Sequence, residues 1–163
     1  NRLIESYYPE HQDKLLSLLD LEDPRLAMDH LTTNQVTLCP SVFIARSLAK
    51  NGNNVYQYHF TRMREGSEKI LSYHGAEIPY VFNTHDEWLP TNEVDQQLTE
   101  AMMEYWVEFA TKGTPNSINN PTWKEFGMEE NYLILDAELE NSSKLENDFC
   151  EIMIDELIKR SSS

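Results

Sequence analysis

Residues 91–112 carry the pattern that most restricts how this chain can fold. Leu98, Met102, Tyr105, Trp106 and Phe109 recur at intervals of three and four, the spacing of one face of an α-helix. Thr91-Asn92-Glu93 opens the helix. Gly113 serves as its C-cap and Pro115 as its stop, since glycine accepts the left-handed cap conformation and proline cannot continue the helix. The stripe reads as core, not as a ligand site.

Around this helix the chain alternates between strand-like and helical stretches. Val55-Tyr56-Gln57-Tyr58-His59-Phe60 is rich in β-formers and reads as a strand, as does Tyr132-Leu133-Ile134-Leu135. Before the first strand, residues 1–21 read as short helices interrupted at Pro9. Residues 24–31 make a short helix entered through Asp23-Pro24. A longer one runs from Thr33 or Asn34 to about Lys50, with Val36, Cys39, Phe43, Ala45 and Leu48 as apolar positions and Pro40 as a kink or the true start. Residues 144–160 form a terminal helix with Leu145, Phe149, Ile152 and Leu157 inward. Residues 61–73 read as polar and mobile.

The totals exclude some partners. Twenty-eight acidic against 13 basic residues give a net charge of −15, which repels nucleic-acid backbones and anionic membranes. No apolar run approaches the length of a membrane-spanning helix. The opening residues form no signal peptide and read as the middle of a longer chain.

Ser72-Tyr73-His74-Gly75-Ala76-Glu77-Ile78-Pro79-Tyr80-Val81-Phe82-Asn83 is the stretch that points to chemistry. Gly75 permits a tight turn beside His74, because it has no Cβ to clash. An imidazole on such a turn is suited to accept and return a proton near neutral pH. Ala76 to Phe82 should be a short helix or turn with Ile78, Tyr80, Val81 and Phe82 inward. The other histidines read differently: His30 as a helix end, His59 as a strand residue. His85-Asp86-Glu87 cannot converge on one ion without an unusual turn, and no metal or cofactor is expected. No Gly-x-Ser-x-Gly elbow is present; Gly66-Ser67 is followed by Glu68 and Lys69. Cys39 and Cys150 form no Cys-x-x-Cys motif, and spacing alone leaves them as free thiols or a disulfide. Asn141-Ser142-Ser143 is a candidate N-glycosylation triplet.

His74, Gly75 and Glu77 match the His-Gly-x-Glu block, followed by an apolar run, of the type-B carboxylesterase and cholinesterase-like family. Trp106-Val107-Glu108-Phe109-Ala110-Thr111-Lys112-Gly113-Thr114-Pro115-Asn116 resembles that family's Trp-x-x-Phe-Ala-x-x-Gly-x-Pro-Asn segment. Trp123-Lys124-Glu125-Phe126 lacks the proline of the family's Trp-Pro-x-Phe. The resemblance spans nearly the whole chain. It implies an α/β class, with residues 1–163 as the C-terminal portion of one α/β-hydrolase domain: the last strands of the sheet and their packing helices. It further implies that His74 is the histidine of a Ser-His-acid triad, with Gly75 and Glu77 in support and Tyr73 and Ala76 near the substrate. Ala76 stands where cholinesterases carry an aromatic residue, which favours a broad carboxylic-ester hydrolase over a choline esterase.

In this family the serine and the acid precede the histidine in chain order, so both are expected upstream or on another chain. That upstream portion is the expected partner, with a small-molecule ester as substrate. The family also carries a disulfide around its histidine, which implies a Cys39–Cys150 bridge and a secreted or otherwise extracytoplasmic protein. The rival reading is a non-catalytic cholinesterase-like adhesion or binding module.

Overall fold

The computed structural model describes residues 2–161. It is a mixed structure of helices and a small sheet, and it divides into two compact units, residues 1–51 with 144–163 and residues 52–143.

The first unit is helical. Helices α1 (Arg2–Tyr7) and α2 (Gln12–Ser17) flank a 3-10 turn at Pro9–His11. Helix α3 (Pro24–Thr33) begins where the Asp23 carboxylate accepts from the N–H groups of Arg25 and Leu26, with Pro24 at the first position, where a missing N–H costs nothing. It runs two residues past the expected end. A π-helical turn, Asn34–Leu38, then leads into α4 (Cys39–Lys50). The widened turn lies where the ring of Pro40 would meet the carbonyl of Val36 in a regular helix. The buried Asn34 side-chain amide donates to the His30 carbonyl at 3.0 Å, beside the bond that this carbonyl takes from the Asn34 backbone N–H.

The π turn also shifts the helical phase. Cys39, Val42 and Ala45 form the buried face of α4, whereas Val36 is 72% exposed and Leu48 also faces solvent, contrary to the stripe expected from sequence. Helix α7 (Asn147–Ser161) buries Phe149, Cys150, Met153 and Ile154. Leu157 is exposed, so the inward face lies to one side of the one expected. Ile4, Tyr8, Leu15, Leu31 and Val42 complete this core with the α7 residues. Cys39 and Cys150 form a disulfide across 111 residues of sequence. Arg46 binds Asn147 and Glu151 at the start of α7.

The second unit holds a three-stranded sheet in the order β1 (Gln57–Phe60), β2 (Asn131–Leu135), β3 (Leu139–Ser143). Strands β1 and β2 run parallel, Gln57 opposite Tyr132 and Phe60 opposite Leu135. Strand β3 returns antiparallel to β2. A parallel pair needs a long crossover, and here it carries α5 (Ile78–Phe82) and α6 (Glu93–Lys112). Helix α6 starts with a reciprocal capping box between Asn92 and Asp95 and ends at Gly113, whose φ is +73°. Its Leu98, Met102 and Tyr105 are buried with Tyr80, Trp123, Leu133 and Leu135. Phe109, expected on the same stripe, is half exposed at the helix end. Among the described residues no helix is long and apolar enough to cross a membrane.

Candidate functional site

The chain leaves β1 at Phe60 and enters the segment that carries His74. Thr61 stays tied to the sheet: its N–H donates to Leu135 at 3.1 Å and its hydroxyl to the Asp136 carboxylate at 2.6 Å. The Ser72 hydroxyl then donates back to the Phe60 carbonyl at 3.2 Å. This bond returns the chain to the carboxyl end of β1, the end of a parallel strand where α/β proteins bind ligands.

His74 and Gly75 form the tip of the next turn. The Tyr73 carbonyl accepts from Ala76 N–H at 2.9 Å, and the Gly75 carbonyl from Ile78 N–H at 3.1 Å. Gly75 adopts φ +85°, a conformation that would strain a residue with a Cβ. The His74 side chain is exposed, and no described residue hydrogen-bonds its imidazole. Glu77 is half-buried and does not bond His74. Its carboxylate instead faces Tyr58, where burial and that negative charge push the phenol pKa up.

Ala76 is buried under the turn, and the Tyr73 ring packs edge-on against Trp88 at 5.6 Å. In α5 only Tyr80 points fully inward. Ile78 and Phe82, one turn apart, share the outer face, and Phe82 is 68% exposed. A helix of five residues presents a single face to a core, so the four inward side chains expected from sequence reduce to one. Glu77, Tyr58, Val81, Phe82 and Trp106 help to line an open groove of about 500 Å³ beside the turn.

The segment expected to be mobile is pinned by two arginines. Arg64 is only 6% exposed. Its guanidinium donates to the carbonyls of Asp86, Leu89 and Pro90 and to the Thr91 hydroxyl, which fastens residues 86–91. Here Leu89 is the buried anchor, while Trp88 is largely exposed.

Arg62 Nε donates to Asp95 Oδ1 at 2.8 Å, and the Tyr80 hydroxyl donates to the same oxygen at 2.8 Å. Asp95 Oδ2 takes the Asn92 N–H at 3.0 Å. Burial alone would raise the Asp95 pKa, but the bonds from Arg62, Asn92 and Tyr80 outweigh it and hold the carboxyl below the ordinary range. Burial, then the bond to Asp95, pushes Tyr80 well up, so its proton stays in place to be donated. In the sequence Asp95 is one acid among 28 acidic residues, and only its place three residues after Asn92, the capping-box spacing, sets it apart.

The remaining candidates sit apart from this turn. His85 Nε2 shares a hydrogen bond with the Thr99 hydroxyl at 2.7 Å, and its ring meets Tyr80 edge-on. Burial and the charge of Arg64 push its pKa down. Asp86 caps the Trp88 N–H at 3.1 Å. His30 pairs with Glu146 at 3.1 Å and packs on Phe149. Ser67 is buried inside a turn and not on a strand-to-helix elbow. Asn141 stands in β3, where its side chain accepts from the Lys124 N–H and donates to the Thr122 carbonyl. In the other unit Glu10, His11 and Glu156 bring three potential ligand atoms within 4.8 Å of one another, with Glu156 already bound to Lys159.

The model of a family described as the carboxylesterase family matches residues 3–153. Carboxylesterase 1E of Rattus norvegicus is 32% identical over 111 residues, which are 65% of this chain and 20% of that protein. Carboxylesterase 1D of Mus musculus is 28% identical over 135 residues, 78% of this chain and 24% of that protein. Cocaine esterase of Homo sapiens is 39% identical over 67 residues, 40% of this chain and 12% of that protein. The chain thus spans about a fifth of the length of the curated relatives it matches.

Proposed function

This chain belongs to the carboxylesterase family, and from that premise we propose that it is the C-terminal portion of a carboxylic-ester hydrolase and supplies its triad histidine, His74. The observation that carries the reading is the presentation of His74. It stands exposed on a turn that Gly75 makes possible, with an imidazole that no described residue bonds, at the carboxyl end of a parallel strand. That is where a proton carrier must sit to serve a nucleophile from elsewhere in the domain.

In this reading the His74 imidazole takes the proton of a serine hydroxyl as that oxygen attacks the ester carbonyl. It then gives the proton to the departing alkoxide, and the acyl group is left on the serine. Water repeats the sequence, with His74 again as base, to release the acid. A carboxylate outside this chain orients the imidazole and stabilises it while it is charged. Gly75 shapes the turn, Glu77 lends its charge to the surrounding network, and Tyr73 and Ala76 lie closest in sequence to the substrate.

Residues 1–163 belong, on this view, to one α/β-hydrolase domain. Strand β1 is half-buried at every position and has one neighbour among the described strands. Such a strand fits the inside of a larger parallel sheet. The disulfide supports an extracytoplasmic location.

Labelling of the native protein with a fluorophosphonate, followed by peptide mapping, tests the reading. We expect the label on a serine outside residues 1–163. A label on a serine within them, or none on an intact preparation, would overturn it.

A further inference from the structure

Asp95 belongs to α6, yet it receives hydrogen bonds from both sides of the His74 segment. Arg62 lies just beyond β1, where the segment begins, and Tyr80 lies in α5, where it ends. Both donate to Asp95 Oδ1 at 2.8 Å. The carboxylate is fully buried. Capping of α6 does not explain this arrangement, because the reciprocal box uses only Oδ2, the Asn92 side chain and two backbone N–H groups. The second oxygen is left for the loop.

We propose that Asp95 is the positioning residue of His74, a single buried anion that ties the entry of the loop through Arg62 and its exit through Tyr80. The proposal rests on the reading of His74 as the triad histidine. Between the two ties Arg64 fastens the chain to residues 86–91. Beyond Arg64 the backbone has only hydrogen bonds within the loop or back to β1: Ser67 to Arg64, Ile70 and Leu71 to Ser67, Ser72 to Phe60, and the turn at 73–78. Those bonds shape the loop locally. Thr61 holds the entry to the sheet and Arg64 holds it to residues 86–91. The ties at Asp95 join the entry and the exit to each other and to α6, and so fix the frame in which the imidazole is presented.

Asp95→Asn in the native esterase tests this. The asparagine oxygen still accepts from Tyr80, but the charge that holds Arg62 is gone. Two readouts are needed: amide hydrogen exchange over residues 62–84 and over β2, and the separate values of kcat and KM on a p-nitrophenyl ester. We expect exchange over 62–84 to quicken by about tenfold or more while β2 keeps its protection, as a local opening requires. We expect kcat to fall by about tenfold to a hundredfold with KM within about twofold, because a small misplacement of a reacting group costs rate before it costs binding.

Tyr80→Phe is the milder variant should Asp95→Asn fail to fold. It loosens the exit at 76–84 and leaves the entry at 61–66 protected. The proposal is overturned if exchange is unchanged, or quickens equally in β2. It is also overturned if exchange quickens locally and kcat holds although His74→Ala abolishes turnover. Turnover that survives His74→Ala would sink the triad reading instead, and the exchange data alone would then decide whether Asp95 anchors the loop.

Discussion

In the unit formed by residues 1–51 and 144–163, two distant segments are joined by a covalent bond, Cys39 to Cys150, set within an apolar core. In residues 52–143 the comparable joint is a buried carboxylate that binds an arginine and a tyrosine from two ends of one loop. The first joint acts mainly by limiting the unfolded chain, and it does not depend on the protonation of nearby groups. The second depends on charge and on unbroken hydrogen bonds, since a buried ion that loses its partner is costly. The unit that carries His74 is therefore the one held by the more breakable joint.

Reduction of the disulfide, or Cys39→Ser with Cys150→Ser, should have the largest effect on stability. Closing a loop of 111 residues contributes about 4–5 kcal/mol in the loop-entropy description. Denaturant unfolding of the first unit should shift by that amount, while exchange protection of β2 stays unchanged. A common shift of both units would erase the distinction between them.

Asp95→Asn comes next, at about 3 kcal/mol in the second unit. That is the lower end for a broken buried pair, because solvent still reaches part of the Arg62 side chain. Thermal or denaturant melts of the variant measure it. Asn92→Ala should cost about 1 kcal/mol, the usual value of a lost N-cap. The pair of variants sharpens the account: equal losses would mean that Asp95 matters only as part of the helix cap.

The smallest effect is one of pH. The His85 pKa is lowered on folding from its ordinary 6.5, so between that value and the lower folded one the unfolded chain binds the extra proton. The His85 contribution is complete above about pH 6.5 and declines as pH falls through that window, in the direction set by proton linkage. A stability profile of the second unit should show the decline, and His85→Gln should flatten it.

The long helix, its cap and stop, and the β1 and β2 strands were legible because strong periodicity and glycine or proline signals agree there. The π turn was not: Pro40 marked a disturbance, but only packing decides whether a helix breaks, kinks or widens, and the widening moved Val36 to the surface. Strand β3 was hidden because Leu-Glu-Asn-Ser-Ser has little strand propensity. It is held by pairing with β2 and by the Asn141 side chain. The turn at His74 could be read from Gly75. Arg62 and Arg64 lie in the stretch that reads as polar and mobile, because sequence does not reveal which carbonyls and carboxylates will face a guanidinium across the fold.

The central claim, that His74 is the proton carrier of an esterase, is tested most directly by kcat/KM for His74→Ala on a p-nitrophenyl ester in the native protein. The melting temperature and the β2 exchange serve as controls for the fold. The account predicts a loss of about a thousandfold or more with the fold intact, as removal of a triad member requires. A loss smaller than about tenfold in a folded variant would contradict it, because even an ordinary general base contributes more than that.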